Sequence, residues 1–165
     1  HWIDGISYAN ELETCMYAGA TKIDGKLLPW SDASPDEWLS SSIFAIKQDI
    51  KLLEAQIIPK GVQSIQEVLH RRRVDVRDID YFLPHISSYF FKDRLSEAFV
   101  KAGVDIPEEK WFINLHKIGN VGSASSYIQL EELFNTKTLR RGEKILLSVP
   151  ESGRFSYVYA LLEAT

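Results

Sequence analysis

Two strand-to-helix junctions limit what this chain can fold into. The first is the apolar run 79–83, closed by Pro84. Proline has no amide hydrogen for a sheet ladder, so a strand must end there, with His85 at its carboxyl end. The second is the run 111–115, followed by His116-Lys117-Ile118-Gly119-Asn120-Val121-Gly122-Ser123-Ala124-Ser125. Glycines and small side chains there turn an extended segment into a helix expected over residues 122–134. Between the two junctions, residues 88–102 repeat apolar side chains at Phe91, Leu95, Ala98, Phe99 and Ala102, and Gly103 is a natural helix stop.

The flanking segments complete an alternating order. Residues 2–10 and 13–20 read as extended, and Asp24-Gly25 as a turn. Ser34-Pro35-Asp36-Glu37 holds a capping serine, a proline at the first helical position and a glutamate placed to close a capping box. The helix it opens carries an apolar stripe at Leu39, Ile43, Ile46, Ile50, Leu53 and Ile57, which Pro59 is expected to interrupt. Residues 61–72 form a second helical segment with Val62, Ile65, Val68 and Leu69 inward. Residues 144–149 and 155–162 read as a closing β-pair around Glu151-Ser152-Gly153. The order predicts one α/β domain with a mixed five-stranded sheet covered by helices.

Composition narrows the function classes. A net charge of −4 argues against nucleic-acid binding, and no stretch has the apolar length of a bilayer span. A single cysteine, Cys15, excludes an internal disulfide and suits a cytoplasmic location. The chain opens at His1 with no signal-peptide pattern and reads as the interior of a domain, so an excised or processed fragment is expected.

His85 and Asn120 are the candidate catalytic residues. A histidine after a strand and an amide before a helix can aim two neutral hydrogen-bond donors at one oxygen that gains charge. The structural alternatives are a satisfied histidine at a strand end and an asparagine capping a helix. His116 competes with His85, but Lys117 beside it suggests a solvated loop. In His70-Arg71-Arg72-Arg73 the cations suit a helix C-terminus, or else Arg71, Arg72 and Arg73 form a docking patch for an acidic partner. Cys15 sits in the acidic context Glu11-Leu12-Glu13-Thr14-Cys15, which raises a thiol pKa and disfavours a nucleophile. The four histidines show no metal-ligand spacing, and Gly119, Gly122 and Gly153 make no phosphate-binding loop. With no cysteine or serine in a nucleophile setting, the chain reads as one half of a covalent enzyme.

Leu83-Pro84-His85 and Gly119-Asn120-Val121-Gly122-Ser123-Ala124-Ser125 resemble the Pro-His and Gly-Asn motifs in the C-terminal half of β-ketoacyl-acyl carrier protein synthase III, a thiolase-fold condensing enzyme. The resemblance runs from about residue 3 to residue 162. Asp80-Tyr81-Phe82-Leu83-Pro84-His85 and Pro150-Glu151-Ser152-Gly153-Arg154-Phe155-Ser156 are similar to the branch serving aryl-polyene, flexirubin or dialkylresorcinol pathways. It implies decarboxylative Claisen condensation of an acyl thioester with malonyl-acyl carrier protein, with a cysteine in an N-terminal nucleophile domain that these residues do not include. His85 and Asn120 would form the oxyanion hole, and Ser152, Gly153 and Gly122 would line the substrate. An acyl carrier protein and a homodimer are the implied partners, and no cofactor is implied. Val121 and Gly122 depart from the family's Thr-Ser, and Glu151 and Arg154 replace a glycine-rich loop. Two other classes stay open: a non-catalytic thiolase-fold subunit that binds a partner, and a related acyltransferase.

Overall fold

β7 (Lys144–Glu151) runs through the middle of a four-stranded sheet ordered β1-β8-β7-β6. β8 (Ser156–Glu163) pairs antiparallel with β7 and with β1 (Trp2–Ser7), while β6 (Tyr81–Pro84) lies parallel to β7. The computed structural model describes residues 1–165. Side chains alternate across the sheet with the period of a pleated strand. Phe82, Leu146, Tyr157, Tyr159 and Leu161 join one apolar cluster with Ile65, Val68, Leu69 and Phe99. Leu83, Ile145 and Leu147 join Leu133 in a second cluster on the other side. A strand buried on both faces has to be continuously apolar, which is why residues 145–147 show no polar alternation.

Helices α2 (Ile50–Arg72) and α3 (Lys92–Lys101) cover the first face, and α5 (Ser125–Thr136) covers the second. A β3–β4 hairpin (Ala20–Ile23, Lys26–Pro29) turns through Asp24 and Gly25, both at positive φ, as that dipeptide favours. A two-residue pair, β2 (Met16–Tyr17) with β5 (Lys47–Gln48), lies beside the main sheet. No helix is long and apolar enough to cross a membrane.

Three expectations are corrected. The sheet has four strands, because the run at 111–115 makes only one parallel bridge, Trp111 to Phe82, before turning into the short helix α4 (Leu115–Ile118). The stripe from Leu39 to Ile57 is not one helix. The capping box forms as expected, with Ser34 Oγ accepting from Glu37 N–H and Glu37 Oε2 accepting from Ser34 N–H at 2.7 Å. Helix α1 (Pro35–Ser40) nevertheless ends within six residues. Ser41 Oγ donates back to the Glu37 carbonyl at 2.6 Å, and Ser42 adopts a left-handed conformation, so the serines divert the backbone. The chain restarts at α2, where Asp49 captures the Leu52 amide at 3.0 Å. Leu39, Ile46 and Ile50 are consequently exposed.

Pro59, the third case, does not break α2. The carbonyl it deprives of a donor belongs to Ala55, and both residues are exposed, so water can take that acceptor. On the buried side, Tyr157 Oη donates to the Ile57 carbonyl at 2.7 Å, and Tyr159 Oη shares a 2.6 Å bond with Ser64 Oγ.

The interrupted stripe makes a direct prediction. Ile43 is fully buried, so Ile43→Ala should destabilise by about 2–5 kcal/mol. Leu39, on the same apparent stripe, is 83% exposed, and Leu39→Ala should stay within about 0.5 kcal/mol of the parent. Denaturant midpoints at unchanged slope measure both, and equal losses would favour one continuous helix.

Candidate active site

Pro84 fixes where the site begins. β6 ends there, and the next amide, that of His85, donates to the Ser148 carbonyl at 2.8 Å, which anchors His85 beside the end of β7. Its imidazole is half-buried and has no hydrogen-bond partner within the protein. Burial lowers its pKa below the ordinary 6.5, so the ring is neutral at neutral pH and one ring nitrogen carries a proton to donate.

Asn120 is set by its own turn. Gly119 and Gly122 on either side have positive φ, of 75° and 59°, which other residues adopt at a cost. Asn120 Oδ1 accepts from Gly122 N–H at 3.1 Å. The acceptor end of the amide is thereby used locally, and its NH2 end is left without a protein partner.

His85 and Asn120 both line one cavity of about 590 Å³. Its polar rim also includes Gly122, Ser123, Ser148 and Ser152. The opposite wall is apolar, formed by Leu53 and Ile57 of α2, Phe91, and Leu95 and Phe99 of α3. Sequence reasoning assigned several of these side chains to helix core. Helical periodicity gives one signal for a face that meets a neighbour and a face that meets a void. Ser148, inside an apolar strand, had no signal of its own.

The turn after β7 differs from expectation in one respect. Ser152 reaches the cavity, but Gly153 is buried and off its wall. The Glu151 carboxylate accepts from Gly153 N–H at 2.5 Å and from Arg154 N–H at 3.0 Å, so both amides are already engaged. Behind them, the Gly153 carbonyl accepts from Cys15 N–H at 3.1 Å and the Ser152 carbonyl from the Cys15 thiol at 2.6 Å. Cys15 is fully buried, and burial, followed by Glu151 and Asp49, pushes its thiol pKa up. It packs and pins the turn.

The remaining candidates lie elsewhere. His116 is exposed on α4, with Nδ1 3.4 Å from Tyr89 Oη. Arg71 and Arg72 both bind Asp4, at 2.7 and 2.6 Å, and Arg73 caps α2 in a left-handed conformation. No group of three or more metal-ligating side chains gathers anywhere.

His85 follows a strand of the mixed sheet, Asn120 follows the turn after α4, and the two border one cavity with an apolar wall. Solved structures share the fold. The 3-oxoacyl-[acyl-carrier-protein] synthase III of Aquifex aeolicus superposes with a TM-score of 0.67 at 21% identity, over 98% of this chain and 43% of its own. A tetronic acid condensing enzyme gives 0.69 at 18% identity, over 99% and 44%. The family model described as 3-oxoacyl-[acyl-carrier-protein (ACP)] synthase III C terminal matches residues 69–161, more than half the chain. The chain belongs to that family. Among curated relatives, β-ketoacyl-[acyl-carrier-protein] synthase III of Clostridium novyi is 34% identical over 52% of this chain and 25% of its own length. The Clostridium kluyveri enzyme is 28% identical over 80% and 40%. The chain thus spans well under half the length of these relatives.

The His85 environment sets a pH dependence. Its folded pKa lies below the unfolded value, so as pH falls the unfolded chain takes up the proton first. The stability that His85 contributes is intact above the ordinary 6.5 and is lost as pH falls through the folded value. An imidazole NMR titration should show a midpoint below 6.5. A midpoint at or above it would contradict the burial described here.

Proposed function

We propose that this chain supplies the oxyanion-stabilising half of a decarboxylative Claisen condensation between an acyl thioester and malonyl-acyl carrier protein. One observation carries the reading: His85 and Asn120, each a neutral donor with no protein partner, open onto the same cavity. In this reading a cysteine in a nucleophile domain outside these 165 residues holds the acyl group. The bond from the malonyl α-carbon to its carboxylate breaks, carbon dioxide leaves, and the electron pair moves onto the thioester oxygen. The His85 imidazole and the Asn120 amide donate to that enolate oxygen. The enolate carbon then attacks the acyl carbonyl, and the cysteine thiolate departs. Stabilisation is strongest where charge develops, which is what preorganised donors in a partly water-excluded cavity accomplish.

Supporting features refine the proposal. Cys15 has a raised pKa and no access, so the chain does not acylate by itself. Ser152 and Gly122 border the substrate, and Glu151 and Arg154 stand where the family has a glycine-rich loop, a departure that favours a primer other than acetyl. With the wording around His85 and Glu151, this favours the aryl-polyene, flexirubin or dialkylresorcinol branch. The working enzyme is a cytoplasmic homodimer served by an acyl carrier protein. Arg71 and Arg72 pair with Asp4 yet stay partly exposed, and with Arg73 they are the candidate docking patch for that carrier.

The test uses the complete protein. His85→Ala and Asn120→Ala should each slow malonyl-thioester decarboxylation by about a hundred- to a thousand-fold, while acylation of the nucleophile proceeds at the parent rate. Parent-rate decarboxylation in both variants would replace this reading with that of a partner-binding subunit.

A further inference from the structure

The parallel pairing of β6 with residues 111–112 stops one rung short of the site, and the cause is visible. Phe112 N–H donates to the Phe82 carbonyl at 2.8 Å. In a parallel ladder the next rung would run from the amide of residue 84 to the Phe112 carbonyl. Residue 84 is a proline and has no such hydrogen. The Phe112 carbonyl is left at the edge of the sheet, beside the peptide that leads into His85.

Gln129 fills this gap. It projects from α5, is 3% exposed, and its Nε2 donates to the Phe112 carbonyl at 3.3 Å and to the Pro84 carbonyl at 3.1 Å. With both neighbours acceptors, the orientation of the amide is fixed: the NH2 end must face them. Its Oε1 is buried with no partner, an arrangement that costs about 1–3 kcal/mol. An apolar residue would avoid that cost but would leave the Phe112 and Pro84 carbonyls unpaired, so the amide is kept for the two acceptors beside the His85 and Asn120 segments.

One turn further along the same face, Glu132 accepts from Asn114 Nδ2 at 2.8 Å and pairs with Lys117 at 2.5 Å. α5 therefore grips the segment before Asn120 at two points. Only Gln129 also holds the segment before His85.

We propose that Gln129 is a positioning residue that substitutes for the ladder rung Pro84 cannot make and locks the His85 and Asn120 loops into one register. It reaches no reacting atom and acts through the two donors. The proposal rests on the functional reading above for its kinetic consequence, but not for its structural one.

Hydrogen exchange in the complete protein separates the two. The amides of Gly119, Gly122 and Ala124 are all bonded within the Asn120 loop, so their protection reports its order. In Gln129→Met, which keeps the length and drops the donors, these amides should exchange at least about tenfold faster, the size of one lost hydrogen bond. Amides of β7 and β8 should keep parent protection. Decarboxylation should lose about tenfold in kcat, with KM and nucleophile acylation unchanged. Gln129→Glu, which lacks the NH2 donors but retains polarity, is a second variant, and Gln66→Met is the control, since Gln66 also donates to a carbonyl, that of Ala102, away from the site. Parent protection of the three amides in both Gln129 variants would overturn the proposal, as would loss of protection spread uniformly over the sheet. Faster exchange in the loop, with His85→Ala decarboxylating at the parent rate, would uphold the positioning and reject the chemistry.

Discussion

A missing amide hydrogen at Pro84 organises this structure. It ends β6 after four residues, frees His85 to leave the sheet while its own amide stays bound to Ser148, and stops the neighbouring run at a single bridge. The sheet edge consequently opens where a regular ladder would have closed it. The cavity begins at Pro84 and His85, and α5 supplies through Gln129 the bond that the backbone lacks.

The far side of the cavity is made rigid by tyrosines. Tyr157 and Tyr159 reach from β8 to carbonyls on the buried side of α2, at Ile57 and Gly61, and Ser64 completes the set. Gly61 belongs to this arrangement because a Cβ there would come within 3.3 Å of the Tyr157 ring. Buried hydroxyls with partners resist local opening, since breaking them strands polar groups away from water. The site thus lies between a polar rim set by turns and an apolar wall held by hydrogen bonds behind it.

Features set by near neighbours in sequence were legible in it. The capping box at Ser34 and Glu37, the Asp24-Gly25 hairpin, the stop at Gly103 and the end of a strand at Pro84 each depend on a few consecutive residues. The β7–β8 pair also follows from local pattern, while His85 and Asn120 were singled out by their resemblance to the family's Pro-His and Gly-Asn motifs. What stayed hidden depends on contacts between distant segments. The stripe from Leu39 to Ile57 mimics one helix because its spacing survives a break of nine residues, 41–49, whose cause is hydrogen bonding by Ser41 and Asp49. Asp4 binds Arg71 and Arg72 from 67 and 68 positions away, and Glu151 binds the amides of Gly153 and Arg154. Gln129 gave no signal, because its role exists only once Pro84 and Phe112 are adjacent.

The central claim is that two neutral donors meet at one oxygen. A crystal structure of the complete protein with a non-hydrolysable malonyl-thioester analogue measures this directly. The account predicts the thioester oxygen within about 2.7–3.1 Å of both an imidazole nitrogen of His85 and Nδ2 of Asn120. An oxygen that contacts neither group, or an analogue seated outside this cavity, would contradict it.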